Sequence, residues 1–312
     1  MSGPVVSPVP GPRQASSGRA ASVGERAWRD NVPVARDTVI PESVITDSSA
    51  SRAPLSAEAI RGELATRRSI WRDIRVVAET GSTNADLVAE AARGDAEGAV
   101  LVAESQSAGR GRMGRRWVTP PRAALTFSVL LRPAALPPAR RGWVPLLAGV
   151  AIASSLRADA SVDAALKWPN DVLAGGAKLA GILAEQSGDA IVVGAGINVS
   201  AGRAELPVPQ ATSMALEGAS CLDRVRLLAG ILAGIERWYL AWSAALGDAD
   251  RSGLRAEYRR LCQTLGQEVR VIMPGGHQLT GVAEDVDADG RLVVRTPSGP
   301  APVSAGDVVH LR

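Results

Sequence analysis

Between residues 109 and 117 the chain reads Gly109-Arg110-Gly111-Arg112-Met113-Gly114-Arg115-Arg116-Trp117. Glycine permits positive φ and close backbone approach, and a guanidinium is a fork of donors matched to phosphate or carboxylate. Such a segment can wrap an anion. Its arginines repel one another until an anion lies among them, so the loop is expected to be mobile when empty and to close over a ligand. Taken alone, the string reads equally as a solvated basic loop or a site for RNA. It lacks the Gly-Lys-Ser/Thr ending of a P-loop and the ribose-binding acid of a dinucleotide fold, which disfavours both of those modes of nucleotide binding.

A second cluster runs Lys167-Trp168-Pro169-Asn170-Asp171-Val172 and continues as Gly175-Gly176-Ala177-Lys178-Leu179-Ala180-Gly181-Ile182-Leu183-Ala184-Glu185. Pro169 ends a strand, Asn170 and Asp171 suit a tight turn, and Lys178 opens the next apolar strand. The ends of such a hairpin bring lysines and an acid together. Each residue taken singly reads as a turn residue or a surface lysine; the density of polar groups beside apolar strands is what points to a site.

These segments need a scaffold. Ser56 is placed to cap a short helix carrying Ile60 and Leu64, followed by a strand near 74–78, a turn through Gly81 and a helix carrying Leu87, Val88 and Ala91. Strands are expected at 99–104 and 124–131, and the almost wholly apolar stretch 143–156 predicts a buried helix. Strands near 165–167, 179–184 and 191–199 complete a mixed sheet, and helices over 225–246 and 254–265 end the large unit. From residue 266 onward short Val/Ile runs alternate with Pro274-Gly275-Gly276, Asp289-Gly290 and Ser298-Gly299-Pro300, the pattern of a small antiparallel barrel. The expected organisation is a disordered tail over residues 1–54, a catalytic domain over 55–265 and a barrel over 266–312. The tail is rich in Pro, Ser, Ala and Arg without apolar periodicity, and its arginines alternate with acids, so it is a poor DNA-binding arm.

The 312-residue chain has 46% hydrophobic and 21% charged residues, which excludes wholesale disorder. Its 35 basic and 32 acidic residues nearly cancel, so any basic function is local. Cys221 and Cys262 have no spacing that suggests zinc or a disulfide framework, and they read as core thiols in a reducing compartment. No run approaches about 18 apolar residues and no signal peptide is visible, so the chain is expected in the cytoplasm, off the membrane.

Together, the two motif segments resemble the biotin protein ligase family, whose hallmarks are a Gly-Arg-Gly-Arg-x-Gly-Arg loop and a Lys-Trp-Pro-Asn-Asp turn leading into Lys-Leu-x-Gly-Ile. Both stand here complete, with further matches at Gly81-Ser82-Thr83-Asn84, Gln106 and Gly194-Ala195-Gly196-Ile197-Asn198. The resemblance spans about residues 56–312 and includes the barrel pattern from Gly281 to Leu292. It implies an α+β fold, a class II synthetase-like mixed sheet backed by helices with a small C-terminal SH3-like β-barrel. It implies an enzyme of the single-function type, without a DNA-binding domain, that makes biotinyl-5′-AMP from biotin and ATP with Mg²⁺. The biotin then passes to a lysine of a biotin carboxyl carrier domain of acyl-CoA or pyruvate carboxylases. The expected assembly is a monomer or weak homodimer.

By the same resemblance Ser82, Thr83, Asn84 and Gln106 meet the uncharged ureido ring, although Ser82 reads equally as a helix N-cap. Arg110, Gly111, Arg112 and Lys178 enclose the carboxylate. Arg110, Arg112, Arg115, Trp117, Asn170 and Lys178 bind ATP and the adenylate, Trp117 by stacking near adenine or else as a core residue. Lys178, Arg112 and Asp171 are the expected catalytic groups, with Asp171 orienting the acceptor lysine or taking its proton. No protein ligands for a metal are assigned, and His277 and His310 lie outside the matched motifs. Lipoate or octanoyl transfer on a related fold is the nearest alternative, because a similar turn occurs there. A biotin-responsive repressor would need an ordered DNA-binding domain before the core. An RNA-binding barrel would need aromatic platforms, and the stretch from residue 267 onward has no Trp, Tyr or Phe.

Overall fold

The structure, a computed structural model, describes Met1, residues 52–64 and residues 69–311. The tail expected over residues 1–54 therefore lies almost wholly outside the described residues. Near its end, Arg52 and Ala53 bond to the folded domain.

Helix α1 (Ala57–Leu64) starts where the Ser56 hydroxyl accepts from the Ala59 amide. Strand β1 (Asp73–Val77) pairs in parallel with β2 (Ala99–Ala103), and between them runs α2 (Thr83–Ala92), capped by Ser82. The other pairings of the large sheet are antiparallel, through β3 (Ala124–Leu131), β4 (Ala165–Lys167), β5 (Asp171–Ala174), β6 (Ala177–Ser187) and β7 (Ala190–Asn198). The spatial order is β1-β2-β3-β7-β6-β5-β4. The turn expected at Asn170 and Asp171 lies earlier, over residues 168–170, with Pro169 inside it and Asp171 opening β5; a four-residue strand beside a bulge carries too little periodicity to be read from sequence.

Side-chain alternation divides the sheet. Leu125, Phe127 and Val129 of β3, Ala180 and Ile182 of β6, and Ala195 and Ile197 of β7 enter the main core, against α3 (Trp143–Ala160) and α4 (Arg224–Ala244). Helix α3 is apolar nearly all round because the sheet, α4 and α5 (Leu254–Leu261) enclose it; Trp143 meets Tyr258 of α5 edge to face. On the opposite face α2 covers only part of the sheet, with Leu87 and Ala91 over Leu101, Leu130 and Val192. The remainder of that face, with Gly181, Gly194 and Gly196, is left for the site.

The last five strands, β8 (Glu268–Ile272), β9 (Gln278–Val286), β10 (Leu292–Thr296), β11 (Gly299–Val303) and β12 (Asp307–His310), form an antiparallel sheet ordered β11-β10-β9-β8-β12. It docks through Trp143 and Trp168, whose indole N–H groups donate to Ala288 and Gly290 carbonyls at 3.0 and 3.3 Å. Cys262 is buried and Cys221 half-buried, both as free thiols. Among the described residues no helix is long and apolar enough to cross a membrane.

Candidate functional site

The exposed part of the sheet face is floored by glycines because neighbouring side chains need the space. Gly194 lies beneath the Asn84 carboxamide, and Gly181 and Gly196 lie beneath the Trp117 indole; a Cβ at Gly194 or Gly196 would collide with those groups. The Trp117 ring is thus half-buried on the sheet, and its Nε1 proton is buried with no acceptor among the described residues. An unmet buried donor costs on the order of 1–3 kcal/mol, which an acceptor on a ligand would recover.

Along one side runs a neutral polar network built on the start of α2. The Gln106 carboxamide oxygen accepts from the Thr83 amide at 2.8 Å and lies 3.2 Å from the Thr83 hydroxyl. The Ser128 hydroxyl lies 2.7 Å from Thr83 Oγ1 and 2.6 Å from Asn84 Oδ1. Asn84 Nδ2 donates to the Leu183 carbonyl and to Glu185 at 3.1 and 2.9 Å. Asn84 is therefore engaged at both ends and acts as a wall of the pocket. Ser82 caps α2 through the Ala85 amide, the role the sequence left open.

The Gly/Arg segment folds over this face as a tight hairpin. The Gly111 amide donates to the Arg115 carbonyl at 2.6 Å and the Trp117 amide to the Gly109 carbonyl at 3.0 Å, with Met113 and Gly114 in the left-handed region at the tip. Each of its arginines, expected to repel the others until an anion lies among them, has a protein partner. Arg110 reaches Glu185 at 3.4 Å, Arg115 reaches Asp307 of β12 at 2.7 Å, and Arg116 donates to the Ser107 carbonyl. Arg112 has neutral acceptors, Asn170 Oδ1 at 3.1 Å and the Gly306 carbonyl at 3.4 Å. Burial lowers its guanidinium pKa and Arg115 adds to that, while Asp307 and Asp171 oppose it. A desolvated cation whose hydrogen-bond partners among the described residues are neutral is the position where an incoming anion gains most.

The Lys178 side chain borders the same floor, beside Gly181 and the Trp117 ring. Its ammonium lies 2.6 Å from Asp171 Oδ1. Its peptide is gripped from both sides, since the Lys178 amide donates to the Gln210 carbonyl and the Thr212 amide to the Lys178 carbonyl, each at 2.8 Å. Asn198 secures that flanking segment by donating to the Thr212 carbonyl. A cavity of about 700 Å³ opens beneath residues 108–116, bounded by Leu183 and Glu185. A second, of about 440 Å³, shares Arg112 and Leu183 with it and extends past Asn170 to Asp289 and Arg291 of the C-terminal sheet.

The structure thus gathers the expected residues on one face. Sequence reasoning assigned no role to Ser128, Glu185 or Asp307, and it singled out Gly181, Gly194 and Gly196 as motif residues without the side chains that rest on them. The alternation Gly181, Leu183, Glu185 on a β-strand would have revealed the carboxylate, and Thr126 and Ser128 break an apolar strand at the same period.

Residues 82–200 match the Biotin/lipoate A/B protein ligase family, and residues 264–311 match the Biotin protein ligase C terminal domain. A biotin–(acetyl-CoA-carboxylase) ligase of Mycobacterium tuberculosis is 44% identical over 272 residues, covering 86% of this chain and all of that one. The Bifunctional ligase/repressor BirA of Escherichia coli is 32% identical over 242 residues, 75% of this chain and 71% of its own. Among solved structures, the biotin protein ligase from Aquifex aeolicus in complex with biotin and ATP is 27% identical with a TM-score of 0.64, covering 77% of this chain and 99% of that one.

Proposed function

The chain belongs to the biotin protein ligase family, and from that premise we propose how its residues perform the family's two steps. It is an ATP-dependent biotin protein ligase. Biotin and ATP give biotinyl-5′-AMP and pyrophosphate, and the biotinyl group then passes to a lysine of a carboxylase carrier domain. The observation that carries the assignment of roles is that Asp171 links two cations from separate elements, pairing with Lys178 and acting electrostatically on Arg112, beside a neutral polar network and a bare glycine floor.

Thr83 and Gln106, with Ser82 behind them, face the uncharged ureido ring, and Asn84 holds the wall. Attack of the carboxylate on the α-phosphate brings two anions together, so cations must accompany them. Arg112 takes the phosphate directly. Arg110 and Lys178 exchange Glu185 and Asp171 for substrate oxygens, and Arg115 steadies the loop through Asp307. Gly111 lets the backbone approach. Trp117, fixed on Gly181 and Gly196, offers its face to adenine and its N–H to an acceptor. In transfer, the acceptor amine attacks the mixed anhydride carbonyl and AMP leaves. Asp171, released once Lys178 turns to the phosphate, orients that amine or takes its proton.

Among the described residues no group of three His, Cys, Asp or Glu could cage a metal. Mg²⁺ would therefore be held mainly by phosphates and water, with Asn170 and Asp171 offering the protein oxygens, and would offset charge on the leaving phosphates. Acyl-CoA or pyruvate carboxylases are the proposed acceptors, and a monomer or weak homodimer that does not act on DNA is the proposed assembly. The near-balanced charge supports the last point.

The test is pyrophosphate release from ATP with biotin, lipoate or octanoate as the acid, followed by mass spectrometry of a carrier domain. Biotin-dependent release and a biotinyl mass increment on one lysine are expected. Preference for lipoate or octanoate would favour acyl transfer of the related kind instead.

A further inference from the structure

Arg52 sits where three segments of the site share a root. Its Nη2 donates to the Ser200 carbonyl at 3.2 Å and lies 2.9 Å from Glu205 Oε2, with the two side chains only 9% and 11% exposed. Its carbonyl accepts from Arg122 Nη1 at 3.5 Å. Just beyond, the Ala53 carbonyl accepts from Arg224 at 2.6 Å and the Leu55 amide donates to Glu104 at 2.5 Å. Glu104 and Arg224 form a buried ion pair of their own at 2.5 Å.

The anchored groups are the feet of the catalytic segments. Glu104 stands two residues before Gln106, at the start of the path into the Gly/Arg loop. The Arg122 amide donates to the Glu104 carbonyl at 3.0 Å, tying the loop's return to its outset. Ser200 and Glu205 begin the segment whose Gln210 and Thr212 grip Lys178. None of Arg52, Glu104, Arg122, Glu205 and Arg224 lines either cavity. Mere attachment of residues 52–55 would be served as well by apolar contact, because desolvating paired charges costs about what their attraction returns. Hydrogen-bonded ions add direction: they fix distance and angle between the elements they join.

We propose that Arg52 is a positioning residue for the reaction, locking the feet of the Gly/Arg loop to the foot of the Lys178-flanking segment so that Arg112 and Lys178 act on one adenylate. The proposal rests on the adenylation chemistry above and adds a residue outside every matched motif.

The test uses the full chain with Arg52→Ala, Arg52→Lys and a remote core control, Ile235→Val on α4. Melting temperature, kcat and KM for biotin-dependent pyrophosphate exchange, and the rate at which bound biotinyl-adenylate leaves are measured for each. Arg52→Ala is expected to speed adenylate loss and lower kcat by at least about fivefold, and Arg52→Lys to restore most of both. Ile235→Val is expected to lower the melting temperature and leave the constants alone. Should Arg52→Ala fail to fold, Glu205→Gln, which keeps shape and an acceptor, replaces it with the same expectation. Constants within about twofold of wild type, or equal changes in Ile235→Val, would overturn the proposal. Failure of the underlying chemistry is distinguishable, because wild type itself would then form no adenylate from biotin.

Discussion

Gly181 and Gly196 are cross-strand partners in β6 and β7, and the indole of Trp117 rests on the bare patch they form. A methyl group at position 196 would occupy the space of the indole ring, so Gly196→Ala must displace Trp117. Affinity for a non-hydrolysable adenylate analogue is expected to fall at least about tenfold. Because both groups shape one surface, Gly196→Ala added to Trp117→Ala should cost little more than Trp117→Ala alone. Calorimetric titration of the single and double variants checks this; additive losses would show that the two residues act independently.

Lys178 is held by Asp171 at one end and by two backbone bonds at the other. A cation so placed matters most while carboxylate and phosphate approach. Lys178→Ala is expected to slow adenylation by about a hundredfold or more, the scale of losing one preorganised charge partner, and transfer from preformed biotinyl-adenylate by much less. Single-turnover measurements of each step separate the effects. Normal adenylate formation would show that Lys178 is misplaced in this scheme.

Among the described residues Arg112 has no carboxylate partner, unlike Arg110, Arg115 and Lys178. A charge-assisted contact contributes roughly 1.5–3 kcal/mol, so Arg112→Ala should release the adenylate about ten- to a hundredfold faster. Chromatography during turnover would detect the free intermediate. A folded variant that leaks no more than wild type would remove Arg112 from the phosphate site.

The motif residues were legible because each lies within a local pattern: Arg112 in a glycine loop, Lys178 at the head of a strand, Ser82 before a helix. The boundaries of β3 and β4 follow from their apolar runs, and 143–156 was read as a helix that continues to Ala160. Partners that come from far along the chain carry no such signal. Asp307 meets Arg115 across 192 residues, and Arg52 reaches Ser200 across 148. Composition places Arg52 in the tail, because two acceptors supplied by other segments leave no periodicity around it. The pairing of Lys178 with Asp171 follows from the hairpin, whereas the Glu185 partner of Arg110 appears only once the Gly/Arg loop is placed over β6.

The C-terminal sheet is also tied to the catalytic domain by Asp285 of β9, which receives Arg255 at 2.5 Å and, from a second side, Arg259. Partial burial would raise the carboxyl pKa, but the bonds from Arg259, Arg255 and the Val286 amide outweigh it and hold it at about 2 against an ordinary value of 3.8. A folded-state pKa below the unfolded one stabilises the native protein above the unfolded value, and that contribution is lost as pH falls through the folded value. The difference corresponds to at most about 2.5 kcal/mol. Asp285→Asn should therefore be less stable than wild type by up to that amount at neutral pH, with the gap narrowing between pH 3.8 and about 2. Urea unfolding of both proteins at several pH values measures it. A gap that persists at pH 2 would mean that packing of the side chain, rather than its charge, joins the two sheets.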